Sequence, residues 1–359
     1  MTQSLENTTT LANPETAPIF IIANGRSGTT LMRYMLNAHP NIYIAEEICF
    51  HFWMDIFLGN FQRRLYRYFQ TFSYAWLRMD PQVVLDTLPK KLGQRDFAAI
   101  YRRILQCKAA QYGKKRFGEK GPLLVTVLDR LFYDYPDARV IHMVRDPRSV
   151  VHSHTTMPWS TASLLVANYV VRDNMKTFLK YGDRVLPVKL EELVAHPESV
   201  MRKVLAFVGE EWSDQILHHT DHLLPDEGIP FPWLAEASQR PKNKNKSWQE
   251  ALSPAWIRII EQANRQTFDI FGYTPLALPE EPTLVQKLWA VIADLPNLAR
   301  LGLYAIRVFL LMILTPKTNA RKIQMLMHST NPEAWKLHAD WNSELPEPPP
   351  VSLPKHLLR

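Results

Sequence analysis

A chain of 359 residues, 46% of them hydrophobic, can form one large domain with an appendage or two modest domains, each with an ordinary core. Its formal charge of +7 favours an anionic ligand, an acidic partner or a membrane surface, yet Lys and Arg are scattered without nucleic-acid-binding spacing, which argues against a nucleic-acid partner. The two cysteines, Cys49 and Cys107, are too few for a disulfide framework and point to a reducing, cytoplasmic compartment.

The chain opens on "MTQSLENTTTLANPETAP", which is polar and lacks an apolar signal core. It reads as a flexible tail over residues 1–17, with no secretion signal or N-terminal membrane anchor expected. From Pro18 to about Gly272 strand-like and helix-like segments alternate. "PIFIIAN" is a β-branched apolar run suited to a buried parallel strand, and "TTLMRYMLNA" then places Leu31, Met35 and Ala38 on one helical face. "ARVIHMVR" reads as a second strand, and the Asp-Pro after it opens a helix. "DRVLPVKLEELV" gives a third, followed by "HPESVMRKVLAFVG", a helix with Pro near its start and Gly209 at its end. Such alternation predicts a parallel sheet covered by helices on both faces, with ligands beyond the carboxyl ends of the strands. Residues 50–76 are dense in aromatic rings, which suits either helical core packing or an apolar wall over an acceptor.

Two segments at predicted strand ends carry the chemistry. In "NGRSGTT", Gly25 and Gly28 let the backbone turn, while Ser27, Thr29 and Thr30 offer hydroxyls at the start of a helix whose N–H groups favour an anion. A Walker A loop needs Lys followed by Ser or Thr after its last Gly; here Thr29 and Thr30 stand there and the cation is Arg26. A kinase or ATPase is disfavoured on that count. In "VIHMVRDPRSVVHS", Arg145 at the strand end can fork onto a phosphate and Ser153 can donate from the helix that follows. An Arg-Asp-Pro-Arg turn can equally be an internal ion-pair site. Together the two segments describe a ligand with phosphate-like groups at both ends.

On these motifs the chain resembles the sulfotransferases that use 3'-phosphoadenosine 5'-phosphosulfate (PAPS). "GRSGTTLMRYMLNAHPNIYIAEE" is similar to the tyrosylprotein sulfotransferase branch and its bacterial relatives, and "RVIHMVRDPRSVVHS" matches the family's 3'-phosphate motif. The resemblance spans about Pro18 to Gly272 and implies an α/β fold, a three-layer parallel sheet of the P-loop nucleotide-kinase type. By motif position it implies that Arg26, Ser27, Gly28, Thr29 and Thr30 hold the 5'-phosphosulfate and that Arg145 and Ser153 hold the 3'-phosphate. No metal is implied, because fixed cations and amides can cover the charge.

Sulfuryl transfer also needs a base for the acceptor hydroxyl and a cation where the leaving oxygen gathers charge. The resemblance assigns the base to Glu47, with Glu46 and His51 as fallbacks, and places Lys120 of "RFGEKGPL" beside the bridging oxygen, together with Arg26. Without it, the glutamates read as helix-start carboxylates and Lys120 as a surface lysine in a Gly-flanked turn. Three departures put tyrosine specificity in doubt: Cys49 where that branch has arginine, Leu190 where a tyrosine is common, and Lys246-Ser247-Trp248, which only approximates the late cofactor loop. Protein tyrosine, carbohydrate, lipid and small-alcohol acceptors all stay open. So do two other readings, a non-catalytic adenosine 3',5'-bisphosphate-binding protein and a small-molecule kinase.

Beyond the expected catalytic domain (18–274) the character changes. "TLVQKLWAVIADL" places Leu284, Leu288, Val291, Ile292 and Leu295 on one helical face, and "LGLYAIRVFLLMIL" is apolar but for Arg307. A helical extension is expected over residues 275–340, docked on the domain, on a second subunit as a homodimer, or on a membrane surface through residues 284–322. The Pro-rich stretch 341–359 should be extended.

Overall fold

In the computed structural model the described residues are 17–57, 59–88, 93–155, 157, 163–225 and 247–314. Lys246, the N-terminal tail and the Pro-rich C-terminal stretch fall outside them. The centre is a sheet of five parallel strands: β1 (Ile19–Ala23), β2 (Ile42–Glu46), β3 (Arg116–Lys120), β4 (Arg139–Val144) and β5 (Val185–Lys189). Their spatial order is β2-β3-β1-β4-β5.

The sheet is sandwiched because β1 is apolar on both faces. Phe20 and Ile22 join one core with Phe50, Tyr101 and Phe117, whereas Ile19 and Ile21 join another with Leu31, Met35 and Met201. Successive side chains of a strand point to opposite faces, so this run of five buried residues supplies both layers. The aromatic stretch after residue 50 resolves as core packing: Phe50, Trp53, Tyr68, Phe69 and Tyr74 are buried against one another and against Phe97 and Tyr101.

β2, "IYIAE", is a short apolar run ending on Glu46, whereas β3, "RFGEK", lies outside the apolar-run signal because its charges conceal an interior strand. Each of those charges is buried with partners. Arg116 donates to the Val208 carbonyl and pairs with Glu210 at 2.7 Å, and Glu119 and Lys120 lie in the site described below. Gly118 is obligatory, since a Cβ there would fall 1.7 Å from the Ile19 carbonyl oxygen. Lys120 is therefore the last residue of a buried strand and not a surface lysine in a turn.

The carboxyl ends of the strands share one edge. Glu46 is in register with Lys120, Ile21 with the same lysine, and Ala23 with Met143, just before Arg145. From β1 the chain crosses to one side of the sheet and from β4 it crosses to the other, so the crevice lies between the loops after these two strands.

The two apolar stretches of the extension form one continuous helix, Leu284–Leu314, with Pro296 inside it. It packs on the preceding part of the chain through Asp294, which accepts from the Ser163 hydroxyl at 2.6 Å and the Leu165 amide at 2.9 Å, at the start of the helix Leu164–Leu179.

Candidate functional site

Two left-handed residues shape the loop after β1: Arg26 at φ 73° and Gly28 at φ 85°. Gly28 precedes the helix Thr29–Ala38, and no side-chain cap bonds that end among the described residues. The leading amides of the helix thus face the crevice with its partial positive charge. A Cβ on Gly28 would lie 2.5 Å from Leu190 Cδ1, so the leucine at the departure position packs directly on the loop. Ser27, Thr29 and Thr30 are all buried there.

The two predicted half-sites touch. Arg26 Nε donates to Ser153 Oγ at 3.2 Å, and Arg145 Nη1 donates to the Arg26 carbonyl at 2.8 Å. Ser153 lies on the helix Pro147–Thr155, and its neighbour His154 bonds to the Gly25 backbone. Burial, reinforced by Arg26, pushes His154 down to about 4, so it is neutral at physiological pH. Asn24 is held from the other side, donating to the Val171 carbonyl and accepting from Asn174. A loop with a cation, hydroxyls and helix amides, fixed by neutral partners and by the cation of Arg145, is a fit receptor for an anion.

The Arg-Asp-Pro-Arg turn sends its two arginines to different partners. Arg148 is the internal ion pair: it contacts Asp146 at 2.7 Å and Glu261 at 2.6 Å and lies over the rings of Trp248 and Phe268. Arg145 turns instead to the loop.

Next to this crevice stand the acidic pair and the lysine. Glu46, 7% exposed, is pinned by Lys120 and by Arg33 Nε at 2.6 Å. Burial works to raise its pKa, but the two cations outweigh it and hold the carboxylate ionised. Glu47 differs: its side chain is 33% exposed, its Oε1 accepts from Lys120 Nζ at 2.7 Å, and its amide donates to the Lys120 carbonyl at 2.9 Å. Burial alone would lower Lys120, yet Glu46 and Glu47 together shift it upward, so it stays cationic. Of the two carboxylates, only Glu47 opens toward solvent. His51, by contrast, is buried among the rings of Phe97 and Tyr101 with Asp134 at 3.7 Å, and burial lowers its pKa.

Arg33, His154 and Glu119 escaped the sequence reading. Glu119 is buried behind the pair, accepting from the Tyr101 hydroxyl and from the Cys49 amide at 2.8 Å. The latter bond supports Cys49 in its left-handed turn at φ 49°, two residues past Glu47. Burial pushes Glu119 up to about 7, and the neighbouring Glu47 adds to it. A carboxyl raised on folding stabilises most below its unfolded pKa and loses that stability as pH rises through its folded value. Wild-type stability should therefore fall between about pH 4.5 and 7 relative to Glu119→Gln, by on the order of 3 kcal/mol. Denaturant titrations of both proteins across that range check this; parallel pH curves would refute it.

Among the described residues no group of three or more His, Cys, Asp or Glu side chains is placed to hold a metal ion. The model of the Sulfotransferase family matches residues 18–214. The chain belongs to the sulfotransferase family. It is 29% identical over 302 residues to "Protein-tyrosine sulfotransferase 1" of Danio rerio, covering 81% of this chain and 73% of that protein. To the "Protein-tyrosine sulfotransferase" of Drosophila melanogaster it is 28% identical over 301 residues, covering 75% of this chain but only 54% of that one, so this family member spans about half of the fly relative. Among solved structures, the sulfotransferase domain of the Synechococcus PCC 7002 olefin synthase superposes with a TM-score of 0.54 at 21% identity, over 73% of this chain and 96% of that domain. The fold is shared with a sulfotransferase domain of independent context.

Proposed function

We propose that this chain transfers the sulfuryl group of PAPS to a hydroxyl acceptor. The observation that carries the reading is the contact of Arg26 with Ser153 and Arg145 at one edge of the sheet, beside Lys120 and its two glutamates. Arg26, Ser27, Gly28, Thr29 and Thr30 would hold the 5'-phosphosulfate, and Arg145 and Ser153 the 3'-phosphate. PAPS, when bound, supplies an activated sulfuryl group whose departure leaves negative charge on a phosphate oxygen.

Glu47 orients the acceptor hydroxyl and takes its proton as the new O–S bond forms. Lys120 and Arg26 stabilise the charge that collects on the leaving oxygen as the old S–O bond breaks, a preorganised electrostatic role. Glu46 and Arg33 hold Lys120 in place. The names of the relatives favour a tyrosine hydroxyl as acceptor, whereas Cys49 and Leu190 depart from that branch at residues beside the site.

Transfer of labelled sulfate from PAPS into a lysate of the source cells, followed by identification of the product, tests the activity. Binding gives an independent check. Adenosine 3',5'-bisphosphate at a hundredfold excess over its Kd should stabilise the protein by roughly 2.7 kcal/mol without added metal, and ATP much less. Absence of both labelling and bisphosphate stabilisation would defeat the proposal.

A further inference from the structure

The helix Leu284–Leu314 runs 31 residues, about 46 Å at 1.5 Å per residue, and among its described side chains the side that carries Asp294 meets the catalytic domain. The opposite side is apolar and open. Leu284, Leu288, Ile292, Leu295, Ile306 and Leu310 are all exposed, Leu284 at 82% and Ile306 at 58%. At about 100° per residue these six fall within one arc of about 80°, and the exposed Trp289 and Leu303 widen it. No helix among the described residues is long and apolar enough to cross a membrane.

Charge distinguishes the occupants such a face could take. Along the helix the sequence holds Lys287, Arg300 and Arg307 against a single acid, Asp294. That acid is buried in the contact with Ser163 and so offers nothing to a partner. On the helical projection Lys287 borders the apolar arc on one side and Arg300 on the other. Two copies of this helix would bring basic flanks together with no acid to offset them, and the arc is wider than a two-stranded seam requires. A lipid surface with anionic headgroups matches both properties: it receives the apolar arc and the basic flanks, with Trp289 placed for the headgroup level.

We infer that the helix Leu284–Leu314 lies in the plane of an anionic membrane surface and holds the catalytic domain there. This goes beyond the proposed transfer reaction and does not depend on it.

Flotation of the full chain with phosphatidylcholine vesicles, with and without phosphatidylglycerol, tests the inference. The protein should float with the anionic vesicles and be released by salt. Leu288→Glu and Ile306→Glu should each weaken vesicle binding by about tenfold or more, because each removes an apolar side chain from the buried face. Both positions are exposed, so circular dichroism and the thermal midpoint should match the parent. Recovery of the full chain in the dense fraction with both vesicle types overturns the inference. If light scattering then shows a pair that the glutamate variants separate, the face belongs to a second copy of the chain.

Discussion

Glu47→Gln should lower single-turnover transfer from PAPS by about 10²–10⁴-fold while leaving bisphosphate affinity nearly unchanged. A carboxylate is a far weaker base than an alkoxide, so proton removal must accompany attack on sulfur, and an amide cannot accept that proton. The substitution is otherwise mild. Glutamine keeps an oxygen for Lys120 Nζ, and the backbone bond from residue 47 to the Lys120 carbonyl does not involve the side chain. Glu46→Gln should behave in the opposite way. It removes the carboxylate pinned between Arg33 and Lys120 and leaves two buried cations poorly compensated, a change that typically costs 3–5 kcal/mol of stability. Its signature is a lower thermal midpoint with transfer largely retained by the folded fraction. Parent-like rates for Glu47→Gln beside collapsed rates for folded Glu46→Gln would move the base to Glu46.

The second large effect is expected at Arg145. The parent should bind adenosine 3',5'-bisphosphate more tightly than adenosine 5'-monophosphate, and Arg145→Ala should erase most of that preference. A charge-assisted hydrogen bond contributes about 1.5–3 kcal/mol, or roughly 10- to 100-fold in affinity. Because Arg145 also donates to the Arg26 carbonyl, the alanine variant should weaken binding of the monophosphate slightly as well. Arg145→Lys restores charge without the fork and should fall between the two. Calorimetry with both nucleotides on the three proteins measures the preference directly. An alanine variant that discriminates as the parent does would reject the 3'-phosphate role.

The sheet could be read from the sequence wherever burial was achieved with hydrocarbon alone. "PIFIIAN" and "RVIHMV" are apolar because helices cover both faces of β1 and β4. β3 escaped because its burial rests on pairing: Arg116, Glu119 and Lys120 are interior charges whose partners come from distant parts of the chain, which no local pattern encodes. The same limit applied to the site. Glycines, hydroxyls and Arg26 sit contiguously in one loop and announced themselves, and spacing from a strand end marked Arg145 and Ser153. Arg33 and His154 act through contacts with Glu46 and Gly25, across gaps in sequence that only the fold closes. Cys49 could be flagged as a departure, but the left-handed turn that Glu119 supports beneath it could not.

The junction at Asp294 bears on how this protein can be cut. The carboxylate of a residue in the extension satisfies the opening amides of the helix Leu164–Leu179, and further along that helix Val171 and Asn174 grip Asn24, the first residue of the anion loop. Trimming the chain near Pro275, the natural choice for isolating a catalytic core, would strip away that terminal support. The shortened protein would begin from a frayed strut two contacts removed from the nucleotide, and a weak affinity measured on it would describe the surgery more than the enzyme.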